Sequence, residues 1–102
     1  YFAPHFDGNL ICHEGELKGC VSEFTAVLYL CDELGFEGGA THYLPGQGSE
    51  VLHPRALRPK QGCAIVHRQG SVLHSGGRVT RGQKFIMQFV LLFDPPASGS
   101  EA

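Results

Sequence analysis

The hydrophobic positions of the chain fall into short runs that are separated by glycines and polar residues. The runs are rich in β-branched and aromatic side chains, and such runs between glycine-rich connections are typical of β-strands. They predict strands at residues 23–31, 40–44, 50–53, 62–67 and 84–93. The last run is long and apolar on both of its faces, which predicts a central position in its sheet.

The connections support the same fold class. Residues 8–20 are polar and irregular and predict a loop, and residues 31–35 fit a single helical turn. The pairs Gly38-Gly39 and Gly76-Gly77 predict turns. No longer helix and no internal repeat is indicated, so we expect an all-β domain with a sandwich, jelly-roll or barrel architecture.

Composition excludes some classes of function. The chain has 102 residues, of which 42% are hydrophobic and 18% charged, as expected for one small globular domain. The net charge is −2, and no basic cluster indicates a nucleic-acid partner. The longest apolar run, residues 89–93, is too short for a membrane segment.

The chain has 4 cysteines, and their spacing contains no C-x-x-C pair. A structural zinc knuckle therefore has little support. An even number of cysteines permits disulfides, but a chain of this length and core composition does not require them. We expect free thiols that pack in the core.

The first candidate chemistry is the sequence His5-Phe6-Asp7. On a strand, residues i and i+2 point to the same face, so His5 and Asp7 could bind one metal ion together. Two histidines and one carboxylate on one face of an octahedron form the site of non-haem Fe(II) oxygenases, which leaves three positions open. The spacing alone leaves the third ligand undecided among the remaining histidines: His13, His42, His53, His67 and His74.

These histidines differ in their surroundings. His13 and His53 lie in polar or proline-flanked segments and are expected to be exposed. For His42 and His67 we expect partly buried, hydrogen-bonded side chains, although His67 could serve as a displaced ligand. His74 follows the apolar pair Val72-Leu73 and stands ten residues before a lysine.

That lysine, Lys84, opens an otherwise almost wholly apolar segment. Burial of an unpaired lysine is costly, and no acidic residue is near it in sequence. Two interpretations are open: the carboxylate of a ligand pairs with Lys84, or its side chain extends to water from an exposed strand end.

Taken together, these motifs resemble the prolyl 4-hydroxylase-like branch of the Fe(II)/2-oxoglutarate-dependent dioxygenases, over residues 1–93. The order and spacing of the motifs carry the resemblance: Y-x-x-x-H-x-D at 1–7, TAVLYL at 25–30, GGATHY at 38–43, G-x-x-x-V at 62–66, His74, and V-T-x-G-x-K at 79–84.

The resemblance implies a role for each matching position. His5, Asp7 and His74 match the iron ligands, which are also the catalytic residues. Lys84 matches the basic residue that pairs with the far carboxylate of 2-oxoglutarate. Tyr29 and Thr41 match positions that line the co-substrate pocket, and an ordinary core role for Tyr29 is equally open.

The resemblance also implies a fold and a reaction. The fold is the double-stranded β-helix, a jelly roll. The reaction is hydroxylation of an aliphatic C–H bond with release of succinate and CO2, using Fe(II), 2-oxoglutarate and O2, with ascorbate as a further candidate cofactor. The carboxylate of Asp7 favours hydroxylation, because halogenating relatives lack it. The substrate would be a peptide or a small molecule.

Two other hypotheses stay open. A non-catalytic jelly-roll binding module could keep the motif by descent. A cupin-like metalloenzyme could use another metal and no keto acid, although such sites usually contain more histidines, often as H-x-H.

The domain limits follow from the same motifs. We expect residues 1–94 to form the catalytic core and residues 95–102 (PPASGSEA) to form a linker or disordered tail. A natural domain rarely begins at its catalytic motif, so the position of Tyr1 predicts a core whose N-terminal part is missing. We expect such a truncated core to expose a sheet edge and apolar surface, and to be poorly soluble alone.

Overall fold

The computed structural model describes residues 2–95. Tyr1 lies outside the described part, and so do residues 96–102, which are most of the predicted tail. Within residues 2–95 the chain is all-β, with a single 3-10 turn at Glu33–Gly35. The strands β1 to β9 are, in order, Phe2–His5, Val21–Tyr29, Phe36–Gly38, Thr41–Leu44, Arg55–Leu57, Ala64–Arg68, Leu73–Gly76, Val79–Gly82 and Ile86–Phe93.

The strands form three antiparallel sheets. A four-stranded sheet has the order β1-β7-β4-β5, and a three-stranded sheet has the order β6-β2-β9. The short strands β3 and β8 pair separately. Side chains of the two larger sheets are in contact. Tyr43 of β4 forms a hydrogen bond with His67 of β6, and Thr41 of β4 forms one with Tyr29 of β2.

The inward faces of the two larger sheets follow from strand register. Residues that lie directly opposite one another in a sheet point to the same face. His5, His74 and Tyr43 form one such row across β1, β7 and β4. Thr25 and His67 are opposite each other on β2 and β6. The chemically active side chains of both sheets therefore point into the space between them.

The outward face of the three-stranded sheet is apolar. Val66, Ala26 and Phe89 form a row across β6, β2 and β9. The exposed fraction is 53% for Val66 and 41% for Phe89. Met87 and Leu91 extend this surface along β9 and are 51% and 36% exposed. This surface matches the exposed apolar area expected from the sequence.

Four of the predicted strands are confirmed, with shifted ends. The predictions at 23–31, 40–44, 62–67 and 84–93 correspond to β2, β4, β6 and β9. The single turn expected at 31–35 is present as the 3-10 turn, in which Asp32 caps the backbone N–H of Leu34. The thiols are free, as expected, although Cys20 is buried and Cys63 is exposed.

Two predictions about strands were wrong. We expected the strand at 84–93 in the centre of its sheet, but β9 is an edge strand, with β2 in the centre of the sheet. One face of β9 points into the space between the two larger sheets, and the other face belongs to the exposed apolar surface. Residues 50–53 form no strand, because Ser49 turns the chain there: its hydroxyl accepts a hydrogen bond from the N–H of Val51.

The predicted Gly38-Gly39 turn has a specific backbone requirement. Both glycines have positive φ values, 72° and 66°, a region that other residues rarely adopt. A Cβ atom on Gly38 would lie 2.2 Å from the carbonyl oxygen of Arg78. The turn directs the carbonyl of Gly39 toward Lys84, which donates a hydrogen bond to it.

No helix among the described residues is long and apolar enough to cross a bilayer.

The exposed apolar face predicts self-association of this 102-residue chain. We expect Val66→Lys to reduce it, because a lysine in the centre of the face would have to lose its hydration when two faces meet. Light scattering during gel filtration over a range of protein concentrations measures the effect. Leu52→Lys is the matched control, since Leu52 is 81% exposed and lies outside this face. A wild-type chain that stays monomeric at all concentrations would contradict the prediction.

Candidate metal centre

Three side chains that the sequence singled out converge on one point between the sheets. Ligand atoms of His5, Asp7 and His74 lie within 4.8 Å of one another. Asp7 Oδ1 is 3.3 Å from His5 Nε2 and 3.4 Å from His74 Nε2. Donors about 2.1 Å from one octahedral ion and at right angles to each other are about 3.0 Å apart. The cluster is therefore close to the geometry that one ion requires.

Tertiary pairing positions these ligands. His5 is the last residue of β1 and lies opposite His74 of β7 in the antiparallel ladder. The assumption that His5 and Asp7 share a strand was wrong, because β1 ends at His5 and Asp7 follows it in the connecting loop. The Asp7 carbonyl accepts a hydrogen bond from the N–H of Gly70, which holds this loop against the turn after β6.

The hydrogen bonds of the two histidines are compatible with a metal ion between them and Asp7. His5 Nδ1 is 2.8 Å from the carbonyl oxygen of Ala3, and His74 Nδ1 is 2.9 Å from that of Val72. A carbonyl only accepts, so each Nδ1 carries a proton, and a ring that carries no second proton turns the lone pair of Nε2 toward the carboxylate. Facing lone pairs repel unless a proton or a metal ion lies between them. Metal-binding histidines commonly have this arrangement.

The protonation states favour metal binding. Burial by itself would raise the pKa of Asp7, but hydrogen bonds from His67 and Thr25, and the charge of His74, bring it below its ordinary value. Burial also lowers the pKa of His74, despite the opposing effects of the Val72 carbonyl and Asp7. An ionised carboxylate and a neutral imidazole are the forms that bind a divalent cation.

The second oxygen of Asp7 has protein partners of its own. Asp7 Oδ2 accepts a hydrogen bond from Thr25 Oγ1 at 2.8 Å and lies 2.9 Å from His67 Nε2. His67 is buried and hydrogen-bonded, as expected, but its link to Asp7 was missed. The signal was present: His67 and Thr25 both lie on inward positions of predicted strands.

A cavity of about 130 Å³ adjoins the cluster. His5 and His74 line it together with Thr41 and Lys84. Lys84 precedes β9 by two residues and is half-buried, and its Nζ donates a hydrogen bond to the Gly39 carbonyl at 2.8 Å. Burial lowers the pKa of Lys84, and among residues 2–95 no carboxylate forms an ion pair with it.

Tyr29 and Thr41 lie next to this lysine. Tyr29 is fully buried, and its hydroxyl is 2.6 Å from Thr41 Oγ1. Lys84 Nζ lies 5.4 Å from the centre of the Tyr29 ring, within the range of a cation–π contact. Thr41 lines the cavity, whereas Tyr29 does not. The structure thus brings the six predicted site residues together, with Tyr29 behind Thr41.

The remaining histidines lie away from the cluster. His13 and His53 are exposed, as expected. His42 is opposite Ser75 on β4, and successive side chains of a strand alternate. His42 therefore points to the face opposite that of Tyr43 and His74. The third member of the candidate cluster, which spacing left undecided, is His74 by geometry.

We expect the metal-free protein to lose stability as the pH falls from about 7.5 to about 5. The pKa of His74 is lower in the folded chain than in the unfolded one, so unfolding takes up a proton near and below the ordinary histidine pKa of about 6.5. The lowered pKa of Asp7 acts in the same direction below about pH 4. Urea unfolding midpoints in the presence of a chelator measure the dependence.

His74→Gln should flatten the fall in midpoint between pH 7.5 and 5, whereas His13→Gln, at an exposed site, should keep the wild-type slope. Equal slopes for wild type and His74→Gln would show that His74 does not couple to folding.

Comparison with known proteins finds no family model, no curated protein and no solved structure that matches the chain. The roles of the site residues therefore rest on the motifs and on the geometry described above.

Proposed function

We propose that this chain carries the catalytic site of an Fe(II)- and 2-oxoglutarate-dependent dioxygenase of the prolyl 4-hydroxylase-like type. One observation carries the proposal. Two of the three clustered metal-binding donors, His5 and His74, line the same cavity as a lysine that has no carboxylate partner among the described residues. A metal site alone would fit many functions, but the added cation suggests an anionic co-substrate.

The donor set fits Fe(II). Two imidazole nitrogens and one carboxylate oxygen suit this ion, and a facial arrangement of these donors would leave three positions for other ligands. When bound, Fe(II) with 2-oxoglutarate and O2 would supply the oxidative decarboxylation that is coupled to hydroxylation of an aliphatic C–H bond. His5, Asp7 and His74 would hold the ion, and the carbonyls of Ala3 and Val72 would keep both imidazoles turned toward it.

Lys84 would bind the far carboxylate of 2-oxoglutarate. Its ammonium group is half-buried and has only the Gly39 carbonyl as a polar partner in the described chain. A carboxylate in the cavity would compensate for the lost hydration. Thr41 could donate its hydroxyl to the same carboxylate, with Tyr29 fixing the orientation of that hydroxyl from behind.

The fold that we propose is a double-stranded β-helix core. Two antiparallel sheets face each other, and in the four-stranded sheet β7 lies between β1 and β4, so strands distant in sequence are neighbours. Such crossed connections are typical of jelly rolls. They bring the start of the chain to β7 and so bring together ligands that are 69 residues apart, from His5 to His74.

The position of His67 weighs against a cupin-like site with an additional histidine ligand. His67 is the one further histidine close to the cluster, and its ring lies 4.3 Å from that of His74, but its Nε2 is within hydrogen-bonding distance of Asp7 Oδ2 and is therefore engaged by a protein partner. The complete ligand set also weighs against a binding module that has lost catalysis.

The first test is anaerobic binding of Fe(II) and 2-oxoglutarate, followed by the visible charge-transfer band of the chelate. We expect His74→Ala to abolish the band, because it removes one of three ligands. Lys84→Ala should raise the 2-oxoglutarate concentration needed for half-saturation, by about 10-fold or more, since a charged hydrogen bond contributes about 1.5–3 kcal/mol.

Matched controls are His13→Ala and Lys60→Ala, which change the same residue types at exposed positions and should leave the band unaltered. Absence of a band in folded, iron-loaded wild type would contradict the dioxygenase proposal. A band that responds equally to Lys84→Ala and Lys60→Ala would contradict the role of Lys84.

A second test separates the co-substrate site from the metal site. Thr41→Val keeps the side-chain shape but removes the hydroxyl, so we expect 2-oxoglutarate to bind about 2- to 10-fold more weakly, as for the loss of one hydrogen bond. Affinity for Mn(II) alone should not change. Both affinities can be measured by titration calorimetry, and unchanged 2-oxoglutarate affinity would remove Thr41 from the site.

A further inference from the structure

The carboxylate of Asp7 has two oxygens with separate surroundings. Oδ1 faces the imidazoles of His5 and His74, at 3.3 and 3.4 Å. Oδ2 is turned away from them and lies within hydrogen-bonding distance of Thr25 and His67. Since a free carboxylate can rotate and offer both oxygens to a metal ion, something must select Oδ1.

His67 has the geometry to make that selection. Its side chain is buried, and both ring nitrogens have partners: Nε2 lies 2.9 Å from Asp7 Oδ2, and Nδ1 lies 2.9 Å from the hydroxyl of Tyr43. An ionised carboxylate can only accept, so Nε2 carries a proton and donates it. When Nε2 carries the one ring proton, Nδ1 accepts a hydrogen bond from the Tyr43 hydroxyl.

Tyr43 supplies a donor that is itself fixed. Its side chain is buried on β4, next to His74 in the same row of the four-stranded sheet. Burial raises the pKa of Tyr43, so the hydroxyl keeps its proton. Tyr43 and His67 belong to opposite sheets, and their hydrogen bond connects the two sheets at the metal centre.

We propose that His67 is a positioning residue that holds Asp7 Oδ2, so that Asp7 presents only Oδ1 to the metal ion. This inference rests on the proposed metal site. A carboxylate that binds through one oxygen occupies one coordination position, which keeps three positions open for co-substrate and O2. If Asp7 were released, it could chelate through both oxygens or turn away from the ion.

A second chain of hydrogen bonds supports the same oxygen. Thr25 Oγ1 donates to Asp7 Oδ2 and accepts from Gln69 Nε2 at 3.1 Å, and Gln69 Oε1 accepts from the hydroxyl of Ser22 at 2.6 Å. Thr25 and Ser22 are 1% and 0% exposed. Thr25 therefore remains as a donor when His67 is changed, so loss of His67 should weaken metal binding without abolishing it.

A purely structural role for His67 makes a different prediction. A buried histidine with two satisfied nitrogens could serve only to connect the sheets, and its replacement would then lower stability alone. A positioning role lowers the affinity of the folded protein for a metal ion, and a side chain that restores the donor to Asp7 restores the affinity. Changes to partners of metal ligands typically weaken metal binding by about 10- to 100-fold.

The experiment measures Mn(II) affinity of the full 102-residue chain from the electron paramagnetic resonance signal of free Mn(II). Four variants are compared with wild type: Asp7→Ala, His67→Phe, His67→Gln and His53→Phe. Phenylalanine keeps a ring without a donor, and glutamine keeps an N–H donor near the position of Nε2. His53→Phe makes the same change at an exposed residue. Urea unfolding of the metal-free variants reports stability separately.

We expect His67→Phe to bind Mn(II) about 10- to 100-fold more weakly, His67→Gln to lie closer to wild type than to His67→Phe, and His53→Phe to equal wild type. Tight binding by wild type that Asp7→Ala abolishes and His67→Phe leaves unchanged would overturn the positioning role while the metal site stands. If wild type and Asp7→Ala both fail to bind, the metal site and the inference fall together.

Tyr43→Phe provides a second route if His67→Phe does not fold. It keeps the ring and removes only the hydroxyl that bonds Nδ1. We expect it to weaken Mn(II) binding by about 2- to 10-fold, as for one hydrogen bond. Unchanged affinity in folded Tyr43→Phe would overturn the proposed path from Tyr43 through His67 to Asp7.

Discussion

The carboxylate of Asp7 connects the two larger sheets of this protein. One of its oxygens faces the histidines of the four-stranded sheet, and the other bonds residues of the three-stranded sheet. A buried carboxylate is stable only if it has hydrogen bonds or opposite charge to compensate for lost hydration. The positions of the inward side chains of both sheets thus depend on this one group.

The centre of the protein is polar as a result. Among the described residues the largest fully buried side chains are Tyr29, Thr25 and Ser22, and the hydrophobic cluster of Val27, Tyr29 and Phe36 is small. Within residues 2–95 no buried side-chain nitrogen or oxygen lacks a hydrogen-bond partner. A satisfied polar network defines positions more narrowly than apolar packing does, because hydrogen bonds are directional. Such a network is well suited to hold metal ligands.

The same arrangement explains why apolar surface remains on the outside. Inward positions of β2 and β6 are used by polar residues of the site, such as Thr25 and His67, while their outward neighbours, such as Ala26 and Val66, are apolar. The three-stranded sheet therefore presents polar site residues toward the cavity and an apolar surface on its other face. Neither face resembles an ordinary solvated sheet surface.

The sequence by itself predicted the all-β class and the strands β2, β4, β6 and β9, and its motifs indicated six candidate site residues through a family resemblance. Alternation and β-branched runs are local signals, and the H-x-D spacing and the following motifs keep their order whatever the fold. The sequence did not predict which strands pair with one another. β1, β5 and β7 have three or four residues each and exist because a neighbouring strand supplies their hydrogen bonds.

Only the tertiary structure decided which histidine completes the cluster and what His67 does. The choice of His74 depends on its position opposite His5, and the role of His67 depends on contacts with Asp7 and Tyr43. These contacts join residues that are distant in sequence, and local patterns carry no information on such pairings. The edge position of β9 was hidden for the same reason, because it depends on which strands pair with β9, and β2, its partner, is distant in sequence.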